Sequence, residues 1–64
     1  MNNNLKKIRQ KKRLSARALG NLAGVSDYCI LSAEKGSNPS LETVIAIAKA
    51  LNVQVADIWD IEIK

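Results

Sequence analysis

Histidine is absent from this chain of 64 residues, and cysteine, proline, tryptophan and tyrosine occur once each. Without histidine there is no imidazole to hold a metal and no side chain whose ordinary pKa suits proton exchange near neutral pH. The single cysteine, Cys29, excludes an internal disulfide and a cysteine-rich zinc site. No nucleophile and base can be paired from what remains, so neither catalysis nor a metal or other cofactor is expected. Long hydrophobic runs are missing too, and Met1 to Asn4 lead straight into Lys6, Lys7 and Arg9 rather than into an apolar signal stretch. Membrane insertion and secretion are therefore not expected, and the cytoplasm is the expected compartment.

What remains suffices for one small domain. Hydrophobic residues make up 47% and charged residues 25%, the balance of a mostly helical globule rather than a disordered tail. A chain this short buries only about 60% of its unfolded surface, so residues 1–64 are expected to form a single domain. It leaves no room for a separate small-molecule effector domain. Charge is polarised along the chain. Six of the ten cations fall between Lys6 and Arg13, a stretch without an acid. Residues 1–35 carry a net +6 and residues 36–64 a net −2. A front half of this kind is either a solvated basic face or a surface for phosphates, which cations bind with release of counterions.

Turn signals about every ten residues divide the chain into short helices. Leu5 and Ile8 put one apolar stripe on a cationic first helix over roughly residues 3–12. Ser15 suits the N-cap of a second helix running to Ala23, with Leu19 and Leu22 as its apolar face and Gly24 as a left-handed stop. Ser26 caps a third helix to about Lys35, with Ile30 and Ala33 inward. After the turn residues from Gly36 to Pro39, Ser40 caps a fourth helix buried through Leu41, Val44, Ile47, Ala48 and Leu51, and Asn52 ends it. Val55, Ile58 and Trp59 suggest a short fifth helix, whose start at Gln54 is a poor cap prone to fraying. Ile61 and Ile63 alternate with Glu62 and Lys64 as in an extended tail. Trp59 reads either as a lid on the core or, with Ile61 and Ile63, as the start of a dimer seam.

The spacing of Gly20, Gly24, Ile30 and Ala33 is the most informative feature. Two short helices joined by a tight turn cross closely, which calls for a tiny residue at position 20, a turn-former at Gly24 and a branched plug at Ile30. Around that spacing stand Leu14-Ser15, Leu19, the run from Ala23 to Ser26, the run from Glu34 to Gly36, the run from Asn38 to Thr43, and Ile47 to Leu51. Taken together, these residues resemble the Cro/C1-type helix-turn-helix family of phage repressors and their bacterial relatives over about residues 3–60. The resemblance implies an all-α, compact five-helix, lambda-repressor-like domain, with helices two and three (about residues 15–35) as the helix-turn-helix. It further implies that residues 26–35 read the major groove of double-stranded DNA from a homodimer on a palindromic operator. A protein-interaction module of the same fold, such as an antitoxin or adaptor, is the alternative.

By the same resemblance Arg9 and Glu34 form a partly buried ion pair between helices one and three. A glutamine common in the family just after the second helix cap is replaced by Ala16, and Arg17 is the neighbouring cation placed to take its phosphate. Asp27, Tyr28, Leu31 and Ser32 are the candidate base contacts: a carboxylate accepts from a cytosine amino group, and tyrosine packs on a thymine methyl or donates its hydroxyl. Asp27 equally suits the positive end of its own helix. Lys12, Arg13, Arg17, Ser26, Lys35, Ser37 and Asn38 are the candidate phosphate contacts. Cys29 reads as a half-buried filler, with a redox-sensitive thiol as its alternative, and the tail 59–64 as a dimer element through Trp59, Ile61 and Ile63.

Overall fold

Three serines start the three central helices. In a computed structural model, which describes residues 3–59, Ser15 Oγ accepts from the Ala18 N–H at 3.0 Å, Ser26 Oγ from Cys29 N–H at 3.2 Å, and Ser40 Oγ from Thr43 N–H at 3.3 Å. Each satisfies one of the donors that a helix start leaves without a partner. Left-handed residues end the same three helices: Gly24 at φ 75°, Gly36 at φ 101° and Asn52 at φ 57°. The elements are α1 (Leu5–Lys11), α2 (Ala16–Ala23), α3 (Asp27–Glu34), α4 (Leu41–Leu51) and α5 (Val55–Ile58). The fold is all-α: the described residues contain no strand, only an isolated antiparallel bridge between Asn3 and Trp59.

Helix α1 is shorter than its apolar pattern suggests, because other bonds claim its start and a left-handed turn stops its end. Asn3 Oδ1 accepts from Leu5 N–H at 3.0 Å, Asn3 Nδ2 donates to the Ala33 carbonyl at 2.8 Å, and Asn4 N–H donates to the Ile58 carbonyl at 2.7 Å. At the other end, Arg13 takes φ 58° and turns the chain toward α2.

Helix α2 lies at the centre, packed on both α3 and α4. The core is Leu5, Leu19, Ile30, Ala33, Ile47, Ala48, Leu51, Ile58 and Trp59. On α2 the inward stripe runs through Ala16, Leu19, Gly20 and Ala23, an i, i+3, i+4, i+7 spacing that leaves Leu22 to one side. Leu22 is accordingly 62% exposed, not part of the buried face as its spacing suggested. On α4 the stripe runs through Val44, Ile47, Ala48 and Leu51, and Leu41, at the first residue, runs off the end of the core at 72% exposure. Helix α5 is tied rather than frayed at its start: Asp57 Oδ2 accepts from the Gln54 N–H at 3.0 Å, the reach-back half of a capping box. Ile58 and Trp59 then close the core, with Trp59 only 2% exposed. Its Nε1 is buried and has no hydrogen-bond partner among the described residues. Ile61 and Ile63, expected in the tail, lie outside them.

Candidate nucleic-acid interface

The crossing of α2 and α3 decides which face of α3 is free. A Cβ on Gly20 would stand 2.7 Å from the Val25 carbonyl oxygen, 3.2 Å from Ser26 C and 3.3 Å from Asp27 N, all backbone atoms. Only glycine lets the start of α3 come this close. Val25 N–H donates to the Gly20 carbonyl at 2.9 Å and fixes the turn. Ile30 and Ala33 are driven fully inward, so at 100° per residue the opposite side of α3 carries Tyr28, Leu31 and Ser32, with Asp27 on its flank. Tyr28 is 75% exposed, Asp27 and Leu31 are exposed, and Ser32 is half-buried.

Within this face the side chains differ in their commitments. Asp27 Oδ1 accepts the Tyr28 N–H at 2.9 Å, so one oxygen serves the positive end of its own helix. Ser32 Oγ donates to Ser37 Oγ at 3.0 Å. Tyr28, Ser32 and Ser37 line one cleft of about 210 Å³ together with Pro39, Ser40 and Thr43. Cys29 lines the same cleft and is exposed, not a half-buried filler, because Ile30 and Ala33 take the inward positions of α3. The hydroxyls of Ser40 and Thr43 lie 2.9 Å apart, a cluster beside the reading face that single-residue spacing did not single out.

The candidate phosphate contacts are all exposed. Lys12 ends α1, Arg13 follows it in the left-handed turn, and Arg17 stands in the first turn of α2; all three are exposed. Ser26 caps α3, with its hydroxyl already accepting from Cys29 N–H, while Lys35, Ser37 and Asn38 follow α3, all exposed. A second, wider groove is lined by Asn4, Lys7, Ile8, Gln10, Lys11 and Asp57, none of them from α3.

Arg9 braces this arrangement from behind. Its Nε donates to Glu34 Oε2 at 2.6 Å, its Nη2 to Glu34 Oε1 at 3.2 Å, and its Nη1 to the Leu14 carbonyl at 2.8 Å. The two side chains are 11% and 7% exposed. One guanidinium thus joins α1, the α1–α2 turn and the end of α3 in a two-pronged pair of the strong kind. Asn3 adds a tie to the same end of α3 through the Ala33 carbonyl; with a partner 30 residues away, no local sequence signal marks it.

A family model described as helix-turn-helix matches residues 5–58, from the first residue of α1 to the last of α5. Among curated proteins, none matches the chain.

Proposed function

We propose, from the premise that this chain belongs to the Cro/C1-type helix-turn-helix family, that it is a sequence-specific regulator of transcription, a repressor or autoregulator. It acts as a homodimer on a palindromic operator in double-stranded DNA, and it is not an enzyme. The observation that carries this reading is the outward stripe of α3: Tyr28 and Leu31 exposed, with Asp27 and Ser32 beside them, on a helix whose other side is clamped to Gly20. Such a stripe is what direct readout of the major groove requires. Lys12, Arg13, Arg17, Ser26, Lys35, Ser37 and Asn38 take phosphates and set the register of α3 in the groove. Regulation then works through protein level, a partner or proteolysis, in the cytoplasm, without a small-molecule effector or cofactor. Trp59 has extended backbone angles, φ −109° and ψ 134°. In this reading the chain continues from it into a dimer seam made by Ile61 and Ile63.

The test is repeated selection from random duplexes at roughly physiological ionic strength, where non-specific phosphate binding is already weakened. A palindrome with half-sites about one helical turn apart is the expected product. A folded protein that enriches no sequence overturns the reading and directs the search to protein partners.

A further inference from the structure

The C-terminal end of α3 is closed by two backbone bonds. Gly36 N–H donates to the Ala33 carbonyl at 3.1 Å and Ser37 N–H to the Ser32 carbonyl at 3.3 Å, with Gly36 at φ 101°. These are the two bonds of a Schellman cap, which holds the residue after the left-handed glycine beside the residue five positions back. An apolar contact often joins those two side chains. Here both are serines, and their hydroxyls bond at 3.0 Å, Ser32 donating. A hydroxyl has one proton and two lone pairs. With its proton committed to Ser37, Ser32 offers the groove acceptors only, while Ser37 keeps its own proton to donate elsewhere. Tyr28, one turn before Ser32, lines the same cleft as both serines, which puts the pair on the reading face.

We propose that Ser37 is a positioning residue that makes Ser32 an acceptor-only reader, selecting at one operator position a base with an amino group in the major groove, adenine or cytosine. This rests on the DNA-reading function above. A free serine hydroxyl rotates and serves as donor or acceptor, so alone it discriminates little between bases. Held by Ser37, it loses the donor option that guanine O6 or thymine O4 would need. The Ser37 proton goes to a phosphate oxygen, so backbone contact and base choice are linked through one hydrogen bond.

The test uses the full chain and its selected duplex, with every single-base variant of that duplex in competition binding. The proteins are the wild type, Ser32→Ala, Ser37→Ala, Ser37→Thr and the double alanine variant. At one position the wild type should prefer one base pair by about fivefold, the worth of one hydrogen bond, and lose that preference when the amino group of its adenine or cytosine is removed. Ser32→Ala and Ser37→Ala should each flatten that preference, the double variant should be no worse than either, and Ser37→Thr should keep it. Ratios between bases do not depend on the fraction of folded protein, so loss of stability does not imitate the effect. If Ser37→Ala weakens all duplexes alike and leaves the ratios intact, or if wild-type binding is unchanged when purine replaces the adenine, or 2-pyrimidinone the cytosine, of the pair Ser32 controls, the proposal is overturned. A wild type without preference at any position defeats the DNA-reading function itself, and the proposal with it.

Discussion

The inner and outer faces of α3 are set by different physics, although they share eight residues. Inside, Ile30 and Ala33 are fully buried, and the helix start lies so close to Gly20 that a single Cβ would strike the Val25 carbonyl. Outside, Tyr28 touches mostly solvent and Leu31 is 44% exposed, and the polar side chains bond within their own turn or to the next. Steric fit dictates the first set, leaving almost no choice of residue, whereas the fold constrains the second set far less. A scaffold of this kind keeps one helix at fixed height and angle while its outer chemistry is exchanged.

Substitutions sharpen the contrast in descending order of effect. Glu34→Ala strands the Arg9 guanidinium, nearly buried with two of its three bonds gone, and should cost about 3 kcal/mol or more. A single core of this size supplies roughly 3–5 kcal/mol in total, so urea unfolding followed by Trp59 fluorescence should find this variant mostly unfolded. Gly20→Ala comes next, at about 2 kcal/mol, because the atoms its Cβ meets are backbone and do not yield. A midpoint equal to that of the wild type would mean that α2 and α3 do not cross this closely. Ser26→Ala removes the cap of α3 and should cost about 1 kcal/mol in the same assay. Tyr28→Ala, on the outer face, should move stability by no more than about 0.5 kcal/mol.

Much of the scaffold is legible in the residues, because its rules are local. Serine caps at Ser15, Ser26 and Ser40, and left-handed stops at Gly24 and Asn52, act within four residues of themselves. Gly20 is legible because a tight crossing demands a small residue at a fixed distance from its turn. The misreadings are of another kind. Leu22, Leu41 and Cys29 are apolar residues at plausible spacings, and whether such a residue is buried depends on which neighbouring helix covers it. Asn3 binds the carbonyl of Ala33, Asp57 rescues Gln54, and Arg13 takes a left-handed turn that its residue type does not announce. On the candidate interface, the stripe of Tyr28, Leu31 and Ser32 follows from periodicity once Ile30 and Ala33 are known to point inward, and Asp27 lies on its flank at the helix start. The coupling of Ser32 to Ser37 does not, because it depends on the cap geometry around Gly36.

The most direct measurement puts one variant through two assays. Tyr28→Ala should melt with the wild type and, in selection from random duplexes, lose discrimination at one or more base positions while still binding DNA. A lowered melting temperature with the selected sequence unchanged would mean that Tyr28 supports the fold and does not read DNA, contradicting the division of α3 into a structural face and a reading face.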